Sequence, residues 1–111
     1  MNTIHYVERK IMIESYNINL NIHYTTPQEM WDKLEMLYSS MPGWNAHKHQ
    51  WYGNDEKIIE VSIEPSGLQF YAKLDKEEWK RWISEFKEKA TEIMGYEVGE
   101  PEDGFEFQYY D

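Results

Sequence analysis

The sequence predicts an α+β domain in which two helices pack on one face of a mainly antiparallel sheet. The first observation is Lys57–Leu74, KIIEVSIEPSGLQFYAKL. Ile59, Val61 and Ile63 alternate with Ile58, Glu60, Ser62 and Glu64; Leu68, Phe70, Ala72 and Leu74 alternate with Gln69, Tyr71 and Lys73. A period of two on both arms gives one apolar and one mixed face, the pattern of a β-hairpin. Glu64-Pro65-Ser66-Gly67 makes the turn, because proline fixes one φ and glycine permits a positive one. The second observation is a pair of segments, before and after the hairpin, with apolar residues at helical spacing. The third is the order of the signals: strand, helix, short strands, helix, strand. Helices segregated to one face of an antiparallel sheet satisfy that order. The split β-α-β connection of ferredoxin-like folds is one way to join them.

Each element has its own signature. In Met1–Glu14, Ile4, Tyr6, Ile11 and Ile13 read as one or two strands around the polar break Glu8-Arg9-Lys10. In Ser15–Tyr24, Tyr16, Ile18, Leu20, Ile22 and Tyr24 face one way and Asn17, Asn19, Asn21 and His23 the other. This strict alternation predicts a strand with one buried face and one that is wet or covered by a partner. The asparagines have low strand propensity, which packing of the apolar face must outweigh. Thr26 and Glu29 form a capping box around Pro27, a favoured first helical residue. Met30, Leu34, Leu37 and Met41 continue at helical spacing until Pro42-Gly43 stops the helix. Trp44–His47 reads as a connection and Lys48–Tyr52 as a short strand, with Gly53-Asn54-Asp55 turning into the hairpin. Asp75 and Glu78 start the second helix, whose stripe is Trp79, Trp82, Ile83, Phe86, Ala90, Ile93 and Met94. Gly95 suits its C-cap. In the tail, Phe105, Phe107 and Tyr109 alternate with polar neighbours, predicting a last strand with an aromatic face toward the core.

Composition narrows the function classes. A chain of 111 residues is a single domain, 1–111. Nine Tyr, five Trp and four Phe argue against disorder. With 21 acidic against 11 basic residues the net charge is −10, a field that repels nucleic-acid phosphates and anionic membranes and attracts basic proteins. The same acidity also serves plain solubility. The absence of cysteine excludes disulfides, thiolate catalysis and Cys-based zinc sites. No signal peptide or membrane-spanning apolar run is evident, so the expected compartment is the cytoplasm.

Catalytic and metal signals are weak. His47 and His49 form an H-x-H on the expected short strand, which would turn both imidazoles to one face. A third ligand would have to come from His5, His23 or a carboxylate, and no spacing delivers one; two histidines near Lys48 on a surface strand are more often plain polar surface. The paired carboxylates Glu60/Glu64, Asp55/Glu56 and Glu100/Glu102/Asp103 lie in polar, turn-like contexts, whereas acid–base work needs a carboxyl in an apolar pocket. There is no phosphate-binding glycine loop, nucleophile elbow or H-E-x-x-H. The expectation is a protein without enzymatic activity, cofactor or metal.

Binding signals are stronger. No basic residue follows Lys89, while Glu92, Glu97, Glu100, Glu102, Asp103, Glu106 and Asp111 interleave with Tyr96, Phe105, Phe107, Tyr109 and Tyr110. Acidic residues around aromatic anchors suit a protein interface. Trp44 and Trp51 flank the segment between the first helix and the hairpin, beside Tyr52, where aromatics are more exposed than on a helix stripe. The partner-binding candidates are therefore Trp44, Trp51, Tyr52, Glu100, Glu102 and Asp103.

The phrases MPGWNAHKHQWYG (Met41–Gly53), IEPSGLQFYAKL (Ile63–Leu74) and GYEVGEPEDGF (Gly95–Phe105) resemble an immunity-protein family of Gram-positive bacterial toxin systems. The resemblance is one of type and maps no functional residue. It implies a protein that neutralises a cognate toxin, often a nuclease, by covering its basic active site with acidic and aromatic side chains. Two other readings stay open: a small metal-binding protein or enzyme using His47 and His49, and a structural or regulatory homodimer joined through the asparagine-lined face or a free sheet edge.

Overall fold

The computed structural model of the protein describes residues 11–110. The strand signals at Ile4 and Tyr6, with His5 and Asp111, lie outside the described residues. The elements are β1 (Ile13–Leu20), α1 (Gln28–Ser40), β2 (Trp44–Asn45), β3 (Gln50–Trp51), β4 (Ile58–Glu64), β5 (Gly67–Asp75) and α2 (Lys76–Met94), followed by a short 3-10 turn, Pro101–Asp103. The hairpin forms as the alternation requires: β4 and β5 pair in a register that closes at Glu64 and Gly67.

The sheet order is β1-β5-β4-β3-β2, and every neighbouring pair is antiparallel. β1 and β4 are joined through α1 and the small β2–β3 hairpin, and both pair antiparallel with β5, which lies between them; this is the split β-α-β connection of ferredoxin-like folds, without a last strand beside β1 among the described residues. β2 to β5 run as a meander, and β1 docks on the remaining edge of β5, pairing Leu20 with Leu68 and Ile13 with Asp75.

The two helices cover one face. Leu68, Phe70, Ala72 and Leu74 of β5 and Ile59 of β4 form a core with Leu34, Leu37 and Tyr38 of α1 and Trp79, Trp82, Ile83, Phe86 and Ala90 of α2. The opposite face carries Ser15, Asn17, Asn19, Gln69, Tyr71, Lys73, Glu60 and Ser62, the mixed set of the alternation. Aromatic rings knit the core. Trp51 meets Trp82 at 4.8 Å and Tyr38 at 5.4 Å between centroids, and Phe70 meets Phe86 at 4.9 Å. Edge-to-face contacts of this kind add to area burial.

Several local expectations change. Thr26 does not cap α1; its hydroxyl donates to the His23 carbonyl at 2.6 Å, finishing the preceding turn, and the cap position falls to Pro27. Asp75 does cap α2, accepting from the Glu78 amide, and also accepts the Met12 amide at 3.1 Å. Gly95 takes the left-handed C-cap conformation. The strand expected over Ser15–Tyr24 ends at Leu20; Ile22 is buried, but Tyr24 is exposed. The expected final strand reduces to one parallel bridge between Ile22 and Gln108, and Tyr109 is exposed rather than in the core. Residues 44–51, expected as a connection and one strand, form a tight hairpin of β2 and β3.

Trp51 sits where this small hairpin meets the core. It is fully buried, and its indole N–H donates to the Tyr38 carbonyl at 2.9 Å. Trp44, its cross-strand partner, is only half-buried. Trp51→Ala is expected to cost about 3–5 kcal/mol, from the cavity and the orphaned carbonyl. Trp44→Ala should cost clearly less. Urea unfolding checks both; equal losses would contradict this placement of the two tryptophans.

Candidate functional site

The acidic C-terminal segment is built onto the fold by one residue, Asn21. Its side-chain amide donates to the carbonyls of Glu97 at 3.0 Å and Glu106 at 2.7 Å, and its Oδ1 accepts the Gly99 amide at 2.8 Å. Its backbone N–H donates to the Gly99 carbonyl at 3.0 Å, and its carbonyl accepts the Tyr96 hydroxyl at 3.1 Å. Asn21 is 1% exposed, so these bonds replace its water completely. The first residue past β1 thus clamps both ends of the loop that carries the carboxylates.

Neighbouring contacts hold the segment to α2. The Thr91 hydroxyl donates to the Lys87 carbonyl and accepts the Val98 amide at 2.9 Å, while Val98 is buried in the core. The Lys87 ammonium reaches Glu100 at 3.3 Å. Gly99 lies under the Phe105 ring, which would come within 2.5 Å of any Cβ there. The 3-10 turn is closed by the Asp103 and Gly104 amides on the Glu100 and Pro101 carbonyls. The tail end packs on the loop after β1: the Tyr110 amide donates to the Thr25 hydroxyl, and Tyr109 meets the His23 ring at 4.7 Å.

Between α2 and this segment runs a groove of about 510 Å³, lined by Lys87, Glu88, Thr91, Glu92, Glu97 and Phe105. Glu88, Glu92 and Glu97 are exposed along it, and Glu102, Asp103 and Glu106 are exposed elsewhere on the same C-terminal segment. Glu100 is the member already neutralised, by Lys87. The groove offers carboxylates around an aromatic floor, which suits a Lys or Arg side chain or a basic surface loop.

The other sequence candidates go elsewhere. Trp51 is fully buried, so it is no surface anchor; its indole is committed to Tyr38. Trp44 keeps one partly open side and packs on Trp51 and the His49 ring. Tyr52 is half-buried with φ 63°, its ring against Gly43 and under the Lys57 ammonium at 5.5 Å. It lines a separate hollow with Pro42, Glu78, Arg81 and Trp82. Glu78 and Lys87 are roughly two and a half turns apart on α2, hence on opposite sides of the helix. Tyr52 and the Glu100–Asp103 loop therefore do not form one site.

The histidine pair is not on a strand. His47 and Lys48 sit in a turn whose amides donate to the Asn45 Oδ1, and His49 has φ 54°. A turn breaks the alternation that would have aimed both imidazoles one way. The His49 Nε2 instead lies 3.0 Å from the Glu35 carboxylate. Among the described residues no group of three His, Cys, Asp or Glu is arranged to hold a metal. Among them, too, no helix is long and apolar enough to cross a membrane.

Asn21 and Thr91 are the residues that sequence reasoning missed. Asn21 was grouped with Asn17 and Asn19 by alternation, and its partners lie 76 to 85 positions along the chain. A usable local signal did exist: the first polar residue past an edge strand has backbone groups that need partners. Comparison with protein-family models, curated proteins and solved structures finds no match to the chain.

Two outcomes test this construction. Asn21→Ala leaves two carbonyls and one amide without partners, and should lower stability by about 2–4 kcal/mol in urea unfolding. A loss within about 0.5 kcal/mol, the level of an ordinary surface change, would contradict the clamp. Burial, with a smaller contribution from Tyr110, pushes the Tyr96 hydroxyl up to about 12 from 10.0. A raised folded-state pKa favours the protonated form, so this stabilisation is complete below pH 10.0 and lost as pH rises toward about 12. Tyr96→Phe should make the alkaline fall in stability shallower than in the parent; an unchanged slope would remove Tyr96 from the linkage.

Proposed function

We propose that the protein is a non-enzymatic inhibitor that binds a basic protein through its C-terminal carboxylate face. The partner is a cognate toxin of the immunity type, such as a nuclease, acting where this chain resides in the cytoplasm. The supporting observation is the preformed face itself: carboxylates held on a clamped backbone along α2, with one cation, Lys87, turned to Glu100. Carboxylates held in place before binding cost little ordering on association, and an overall charge of −10 steers a basic partner toward them. The immunity-type phrases at Met41–Gly53 and Gly95–Phe105 agree with this reading, and the second of them is the clamped segment.

The metal reading has lost its geometric basis, since His47 and His49 share a turn and not a strand face. No observation favours it over the inhibitor reading.

The test is capture of the partner from host lysate at low salt, followed by kinetics with the purified pair. A basic protein should be retained and released as ionic strength rises. Glu97→Lys, Glu102→Lys and Asp103→Lys together should slow association about tenfold or more and flatten its salt dependence. These three side chains are exposed and outside the Asn21 clamp, so folding should be unaffected. An unchanged association rate and salt slope would place the interface elsewhere.

A further inference from the structure

We propose that the free edge of β4 is a second docking site, which accepts an extended segment of alternating basic and apolar residues as an added strand. The proposal takes the basic character of the partner from the inhibitor reading; the geometry is independent of it.

β4 is paired along its whole length with β5, from Ile58↔Lys73 to Glu64↔Gly67. On its other side it meets β3 only at Trp51↔Ile59. Among the described residues no strand pairs with β4 beyond Ile59. The two-residue turn Pro65-Ser66 makes Glu64 and Gly67 a hydrogen-bonded pair, and antiparallel pairs alternate. Ser62 and Glu60 therefore bond to β5, while the N–H and C=O groups of Val61 and Ile63 point to the open edge. The Trp51 contact at Ile59, two residues before Val61, fits the same alternation. An exposed row of such groups is a template for strand addition.

This edge is not bare. It forms one wall of a cavity of about 520 Å³ that is also lined by Tyr24, Trp31, Tyr38 and the paired Glu35 and His49. Ile63 is 54% exposed and Tyr24 57%, so large apolar groups face water on both sides of the opening.

The two faces of an added strand see different chemistry. Residues opposite Val61 and Ile63 project on the helix side, between the aromatic rings. Residues opposite Ser62 project on the outer face, flanked by Glu60 and Glu64. Charge complementarity thus calls for Lys or Arg at the outer positions and β-branched or other apolar side chains at the inner ones. A second copy of this chain is a poor occupant. Symmetric pairing about Ser62 would set Glu60 against Glu64 twice, between two molecules that each carry −10.

The probe is an acetylated, amidated heptapeptide of alternating lysine and valine, titrated into the ¹⁵N-labelled full chain. Saturable shifts at the Glu60–Glu64 amides and the Trp31 indole are expected, with slowed exchange of the Val61 and Ile63 amides. Ile63→Pro deletes an edge donor that β5 does not use, so the β4–β5 ladder should survive while affinity falls about tenfold. Trp31→Ala, on a half-exposed helix flank, is the second variant and should weaken binding comparably. Glu97→Lys, Glu102→Lys and Asp103→Lys together should leave peptide shifts at β4 in place, which separates this site from the C-terminal face. A self-associating chain with concentration-dependent shifts at β4 in the absence of peptide would overturn the proposal. So would absence of saturable shifts, shifts confined to the C-terminal segment, or equal affinity in Ile63→Pro.

Discussion

Asn21 has its primary amide withdrawn from water at the end of an edge strand, and the chain after α2 takes its course from that. A buried amide must satisfy two donors and an acceptor or cost several kcal/mol. Here Glu97, Glu106 and Gly99 supply the complementary groups, so the segment cannot drift without exposing all of them to an apolar surround. The orientation of the amide is fixed by the same set, since carbonyls accept only from nitrogen and the Gly99 amide donates only to oxygen. An acidic tail in a protein of this charge would otherwise repel its neighbours and extend. The amide clamp turns it into a surface of defined shape.

The aromatic core has the complementary role. Net charge of −10 opposes compaction, and the opposing contribution comes from rings closed around Trp51, Trp82, Phe70 and Phe86. The same packing places the short β2–β3 hairpin, because Trp51 is anchored by both its ring and its N–H. Among the described residues, the brevity of that hairpin leaves the edge of β4 away from β5 unpaired beyond Ile59. Core packing and the open sheet edge are therefore two results of one arrangement: a tryptophan near the end of a strand too short to cover its partner.

Legibility in the sequence followed the range of the interactions. The hairpin at Lys57–Leu74, the Asp75 cap, the Gly95 stop and both helix stripes depend on neighbours within a few residues, and each emerges where the local pattern puts it. The α+β class followed from their order. The position of β1 beside β5 is the one the split β-α-β connection requires, though the local pattern left that connection as one option. Trp51 looked like Trp44 in sequence, yet one is buried and the other half-open; cross-strand register and distance from α2 decide between them. His47 and His49 needed a strand that Asn45 converts to a turn by accepting two amides. Of the acidic candidates, Glu102 and Asp103 remain exposed as read, while Glu100 is drawn to Lys87 by a contact between distant turns. Asn21, hidden in an alternating run of asparagines, is the residue whose role only the long-range contacts disclose.

Hydrogen exchange at the Gly99 amide tests the central claim most directly. That amide donates to the buried Oδ1 of Asn21, in a loop otherwise surrounded by exposed carboxylates. If the C-terminal face is preformed, Gly99 should exchange only through openings nearly as rare as those that release the β5 amides of the core. Exchange as fast as that of the exposed Glu102 amide would mean that the clamp opens freely, and that the acidic segment has no fixed shape to offer a partner.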